Sequence, residues 1–153
     1  MYNKKYDDQK SLLERAGRVI NSIINSLENL PLETRKKIME ESGEKCALAG
    51  SIKIAKKILE ETTQIEEIIA KVNDQVPWCG KWILKGNKIS SICLECGCPL
   101  IRNKVVIPNE TFCYCSVGWA KKIFETLLKK PVEVKLEKSK GAGDDLCKFS
   151  IIF

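Results

Sequence analysis

The hydrophobic period changes at Trp78, and that change limits what the chain can fold into. Up to Val72 the apolar residues recur at the three-to-four spacing of a helix; beyond Trp78 come segments that alternate, as in half-buried strands, around one further helical stretch. Leu12, Leu13, Ala16, Val19, Ile20, Ile23, Ile24 and Leu27 predict a first amphipathic helix, capped by Asp7 or Asp8 and broken at Leu30-Pro31. Pro31 suits the first turn of a second helix, with Glu33 near its positive end and Ile38 and Met39 inward. Ser42-Gly43 reads as a stop or a weak point. The small apolar run Cys46-Ala47-Leu48-Ala49-Gly50 fits a close helix contact. Ile52, Ile54, Ala55, Ile58 and Leu59 continue the pattern. Ile65, Ile68, Ile69 and Val72 give another apolar face, ending near Asn73-Asp74 and Pro77.

After Trp78 the segments Trp82-Ile83-Leu84 and Ile89-Ser90-Ser91-Ile92 flank Gly86-Asn87, which supplies the positive φ angles of a tight hairpin turn. Val105-Val106-Ile107 predicts a short strand. Ser116 is placed to cap a helix running to about Lys130, with Trp119, Ala120, Ile123, Phe124 and Leu127 on one face. Val132 to Glu137 and Leu146 to Ile151 alternate strictly around a turn at Gly141-Ala142-Gly143-Asp144, which predicts a second hairpin. The expected fold class is α+β: N-terminal helices packed on an antiparallel sheet of two hairpins with a helix between them. A single domain over 1–153 is expected, with a helical half at 1–76 and the hairpins, cysteine-rich loop and last helix at 77–153.

With 153 residues, 44% of them apolar, the chain has enough material for a core without disulfide scaffolding. The N-terminus is polar, not an apolar leader. No run approaches the roughly 18 apolar residues of a membrane span, so the expected setting is the cytosol, where thiols stay reduced. There are no histidines, which excludes His-based triads and leaves thiolates as the main transition-metal ligands, with carboxylates beside them. The net charge is +6. Residues 1–80 hold 13 basic against 13 acidic side chains, and residues 81–140 hold 12 against 5. The lysines are scattered, without interleaved aromatics. They read as a solvated basic face, and nucleic acid is a disfavoured partner.

The strongest chemical signal is Cys93-Leu94-Glu95-Cys96-Gly97-Cys98-Pro99. Two thiolates three residues apart can hold one ion, and the glycine lets backbone N–H groups turn toward sulfur. Cys113-Tyr114-Cys115 lies at the distance of a zinc ribbon's second pair, but as Cys-x-Cys. On a strand both thiols would point one way; a helix starting at Cys115 would leave only one to ligate. Cys93, Cys96, Cys98, Cys113 and Cys115 are thus five candidates for four positions, with Cys79 a sixth. An all-sulfur site accepts zinc, the first expectation, or an iron–sulfur cluster. Two other readings are core packing and dithiol redox work by Cys93 and Cys96; Gly97 and Pro99 argue against the helix start that the latter uses. Cys46 and Cys147 fall in apolar patterns and read as core. Glu95 is a candidate ligand or base, and Asp144 and Asp145 are turn residues first and acid–base candidates second.

Cys113-Tyr114-Cys115-Ser116-Val117-Gly118-Trp119 opening a helix, Val132-Glu133-Val134 opening a strand, and Gly143-Asp144-Asp145-Leu146-Cys147-Lys148-Phe149 leading the last strand form a closing pattern of about 40 residues. It resembles the 4-vinyl-reductase-type domains and the related L-2-amino-thiazoline-4-carboxylate-hydrolase-like proteins. The resemblance implies a fold like that of haem-nitric-oxide-binding and transport-particle domains, with a ligand pocket between helices and sheet, and a small-molecule-binding or sensing role. Haem ligation through histidine is impossible here. The expected function is a small-molecule-binding or sensory domain with a cysteine-ligated metal site, with Trp78, Trp82 and Trp119 as candidate pocket walls. The alternatives are a metal- or thiol-dependent hydrolase of a small heterocycle and a zinc-ribbon-like nucleic-acid adaptor. The expected partner is a small-molecule ligand; a homodimer is left open, and no membrane is expected.

Overall fold

The computed structural model describes residues 4–153, with the side chains of residues 4–7 and of Cys79 outside the description. Four helices come first: α1 (Lys4–Leu27), α2 (Leu32–Leu48), α3 (Ser51–Glu61) and α4 (Ile65–Gln75). The hairpin β1 (Lys81–Lys85) and β2 (Lys88–Cys93) follows, turning through Gly86 at φ 59°. Two single-turn helices, α5 (Pro99–Arg102) and α6 (Glu110–Cys113), precede α7 (Cys115–Leu128); β3 (Glu133–Lys138) and β4 (Cys147–Ile152) close the chain. The sheet is antiparallel in the order β1-β2-β4-β3, so the two hairpins join through their second strands. The fold is therefore the expected α+β arrangement, and no described helix is long and apolar enough to cross a membrane.

The main core fills the space between sheet and helices. Trp82, Ile89, Phe149 and Ile151 of the sheet pack against Ala120, Ile123, Phe124 and Leu127 of α7, with Ala55 and Ile58 of α3 and Ile68, Ile69 and Val72 of α4 behind them. Trp82 is fixed twice. Its ring lies 4.8 Å from that of Phe124, and its backbone N–H and C=O are paired with the Asn73 side chain at 2.7 and 2.8 Å. Helix α4 ends at Gln75, between Asp74 and Pro77 as expected, and Asn73 in its last turn supplies the hydrogen bonds that the edge strand β1 lacks on that side.

Helix α2, in contrast, does not stop at Ser42-Gly43. Gly43 is buried where α2 crosses α7, and a side chain there would overlap the carbonyl oxygen of Cys115. Gly118 of α7 is its counterpart: a methyl on it would overlap the carbonyl oxygen of Glu40. Each helix presents bare backbone to the other. That close approach, with Ala47 wholly buried beside it, outweighs the roughly 1 kcal/mol that a glycine costs a helix.

Four other expectations fail for local reasons. Helix α1 is already helical at Lys4, so Asp7 and Asp8 lie inside it and do not cap it. Its expected inward stripe is only partly used: Ile24 is buried with Met39, Val106 and Phe112, while Leu12, Val19 and Ile23 are exposed. The segment 105–107 is not a strand. Asn21 on α1 donates to the Val105 carbonyl at 3.1 Å and accepts from the Ile107 N–H at 3.0 Å, so this backbone pairs with a side chain. Ser116 lies in the first turn of α7 and does not cap it; Tyr114 occupies the N-cap, and the helix ends at Leu128 because Lys129 adopts the left-handed conformation.

Replacing Gly118 by Ala is expected to lower the free energy of unfolding by roughly 3 kcal/mol, the upper part of the overpacking range, as measured by urea denaturation. A Gly118→Ala chain as stable as the parent would show that α2 and α7 do not meet backbone to backbone.

Candidate functional site: a cavity lined by thiols

The glycine crossing of α2 and α7 places Cys46, one turn beyond Gly43, beside Cys115 at the start of α7. From the other side β2 ends at Cys93, and the chain turns through Cys96 and Gly97 to Cys98, the N-cap of α5. A single helical turn does begin at Pro99, with proline at its first position, where no N–H is needed. It starts beyond Cys98, so neither Cys93 nor Cys96 sits on a helix N-terminus as a redox dithiol would. The segment at 113–115 is helical, with Cys113 ending α6 and Cys115 opening α7. The strand geometry of a ribbon's second knuckle is therefore absent.

All five candidate residues, Cys93, Cys96, Cys98, Cys113 and Cys115, line one cavity of about 470 Å³ between the sheet, α2 and α7. Two cysteines read as core belong to it as well: Cys46, which is exposed at its rim, and Cys147 at the start of β4. Trp78, Trp82 and Trp119 are all in the wall, as are Phe112, Leu136 and Phe149; Arg102 is the one cationic residue among those lining it. The Trp119 indole N–H donates to the Ser51 hydroxyl at 3.0 Å, which fixes that ring. Glu95 is exposed outside the cavity. Asp144 accepts from the Ser139 N–H at 2.8 Å and closes the turn before β4, so its carboxylate is used structurally. The side chain of Cys79 lies outside the described residues.

Burial and sulfur crowding dominate the electrostatics. Burial pushes the Cys115 thiol far above its ordinary range, and the neighbouring Cys98, Cys46 and Cys113 push the same way. Cys113 is raised by burial, partly offset by hydrogen bonds from the Ser139 hydroxyl and the Gly141 N–H. Cys96 is raised by burial and by Cys98, Cys147 and Cys113, against a hydrogen bond from the Cys98 backbone. Cys93 is raised by burial and by Cys147, against the Ser91 hydroxyl. Cys46 is exposed as a residue, yet desolvation of its thiol and the nearby Cys98 still raise it. These sulfurs are close enough to feel one another's charge, and among the described residues lining the cavity Arg102 alone is cationic. Among the described residues, however, no group of three or more Cys, Asp or Glu side chains is arranged to hold a metal ion. The candidate ligands share a cavity without converging on one point in it.

Residues 2–153 match the profile of DUF6144, a family of unknown function. The chain belongs to that family. No curated protein matches it. Among solved structures the DUF6144 chain is similar to a trafficking protein particle complex subunit 3 from Naegleria fowleri, described as covalently bound to palmitic acid. The TM-score is 0.55 at 11% identity, over 94% of this chain and 95% of that one. At that identity the likeness is one of fold: helices over an antiparallel sheet.

Sequence reasoning missed Cys46 and Cys147 as members of the DUF6144 cavity. Signals for both were present. Cys147 alternates with Phe149 and Ile151, so it shares their inward face, and Cys46 lies three residues past Gly43 in a stretch read as a close helix contact. Under anaerobic, metal-free conditions, brief alkylation with iodoacetamide near pH 8 is expected to label Cys46 first and Cys115 last, as read by peptide mass spectrometry. The thiolate is the nucleophile, and Cys115 is both the more shielded and the more strongly raised. Equal labelling of the two would contradict this account of the cavity.

Proposed function

We propose that this chain is a small-molecule-binding or sensory domain whose site is the thiol-lined cavity, and that Cys93, Cys96, Cys98, Cys113 and Cys115 supply the ligands of a soft metal centre there, zinc in the first instance. One observation carries this reading: cysteines from β2, the following loop and the α6–α7 junction line a single cavity, although up to 22 residues separate them in sequence. The raised thiols are consistent with it. Without a cation, buried sulfurs stay neutral and have no reason to draw together. A divalent ion supplies the missing positive charge, releases the thiol protons and rewards convergence. The loop from Cys93 to Pro99 and the single-turn helices α5 and α6 are the parts that would have to adjust.

A tetrahedral zinc site with Zn–S bonds of about 2.3 Å needs far less room than about 470 Å³. The remaining space, walled by tryptophan and phenylalanine, is within the usual size range of small-molecule sites. This supports an organic ligand held beside the metal, in keeping with the binding role implied by the 4-vinyl-reductase-type resemblance of the C-terminal residues.

A second reading follows from the same walls. In it, a fatty acyl chain fills the aromatic cavity as a thioester on Cys46 at the rim, by analogy with the trafficking subunit described with covalent palmitic acid.

Elemental analysis and a visible spectrum of anaerobically purified chain, together with its intact mass, separate the two. Stoichiometric colourless zinc is expected, with Cys96→Ser reducing the metal content at least tenfold. Iron with sulfide and a brown colour would change the metal while keeping the site. A metal-free chain that takes up no added zinc, or a Cys96→Ser chain with full metal content, would overturn the proposal. A hydroxylamine-labile acyl adduct on Cys46 would establish the second reading in its place.

A further inference from the structure

Cys93 and Cys147 stand directly opposite one another on the last rung of the β2–β4 ladder. The same register pairs Ser91 with Phe149 and Ile89 with Ile151, and those residues are buried in the face that lines the core. The two cysteines share that face, because side chains on opposed residues of an antiparallel pair project together. Opposed Cα atoms in such a ladder lie about 4.5–5.5 Å apart, inside the roughly 4.4–6.8 Å that a disulfide spans. The Cys147 sulfur is near enough to raise the Cys93 thiol. Among the described residues, no other pair of cysteines in the cavity is opposed in the sheet.

We infer that Cys93 and Cys147 form a reversible cross-strand disulfide by exchange with a small-molecule disulfide such as oxidised glutathione, and that this bond withdraws Cys93 from the metal site. The disulfide itself stands on the strand register; its effect on metal rests on the function proposed above. Cys147 is the partly exposed member and Cys93 the buried one, so Cys147 meets the reagent first. Its sulfur attacks one sulfur of the reagent, giving a mixed disulfide and releasing one glutathione thiol. The Lys140 N–H, 3.5 Å from the Cys147 sulfur, helps that atom carry charge during the attack. Cys93 then attacks the Cys147 sulfur of the mixed disulfide and expels the second glutathione. Two protein thiols are oxidised, one reagent disulfide is reduced to two thiols, and the two protein protons leave with them. Cys93 ends bonded to Cys147 with no thiolate left to ligate a metal.

The test uses the full-length chain, purified anaerobically with its metal and incubated in glutathione buffers of graded redox ratio. Disulfides are mapped by non-reducing peptide mass spectrometry, and released zinc is read with a chromogenic chelator. The expected result is one dominant cross-linked peptide pair containing Cys93 and Cys147, reversed by dithiothreitol, with zinc release rising in step with it. Cys147→Ser removes both the cross-link and the oxidant-dependent release, and so does Cys147→Ala should the serine variant fold poorly. Cross-links confined to Cys96–Cys98 or Cys113–Cys115, or none at any ratio, would overturn the inference. A Cys93–Cys147 cross-link in a chain that binds no metal would uphold the pair and sink the metal centre. Retained zinc with no such cross-link would do the reverse.

Discussion

The backbone contact between α2 and α7 is the constraint on which the rest of the molecule depends. Two glycines, Gly43 and Gly118, each accept the other helix's carbonyl at a distance that no side chain permits. This fixes α7 against α2 on one side while its apolar face, Ala120 to Leu127, is pressed on the sheet by the other. The first turn of α7 then lies toward the end of the sheet where β2 finishes at Cys93 and β4 begins at Cys147. The cavity is the space left at that end. Its depth follows from how closely the two helices cross, and the positions of Cys46 and Cys115 follow from their spacing to the two glycines.

Much of this was legible from hydrophobic period. Helices α2 to α4, both hairpins and the long last helix follow from it, because each buries one face against the same core and the pattern reports that burial directly. What was not legible depends on single polar or small residues acting across the fold. Asn21 removes the segment 105–107 from strand pairing, and Gly43 extends α2 through a position that reads as a stop. In each case the local preference is ordinary and a partner distant in sequence overrides it. The candidate site divides the same way. The Cys-x-x-Cys-Gly-Cys run announces itself, whereas Cys147 is hidden in a strand and Cys46 in a helix, and only the folded chain brings those two to the same cavity.

Core packing is the plainest alternative account of so many cysteines, and magnitude argues against it. Protein interiors are close-packed, and empty apolar space costs about 24 cal/mol per Å³. A dry void of 470 Å³ would cost roughly 11 kcal/mol, comparable to the entire stability of a domain this size. Cysteines acting as small hydrophobes would close such a space, not surround it. Cys46 is exposed and Cys96 and Cys98 are partly open to solvent, so water enters and the void is not dry. A solvent-filled, sulfur-rimmed cavity with three tryptophans in its wall is a poor core and a reasonable receptor.

Water alone is also a poor match for those walls. The raised thiols are weak hydrogen-bonding groups while protonated, and the phenylalanine and leucine surfaces offer water nothing. Water in such a cavity is readily displaced, which favours binding an occupant that presents apolar surface to the rings and positive charge to the sulfurs. The two demands lie on different parts of the wall. Five of the sulfurs come from the β2 loop and the α6–α7 junction, whereas Trp82 and Phe149 stand on the sheet and the Trp119 ring is held against Ser51 of α3. One bare ion meets only the first demand and one hydrocarbon chain only the second. A metal with an organic ligand beside it meets both, and its loss through a bond between Cys93 and Cys147 would leave the aromatic half of the cavity in place.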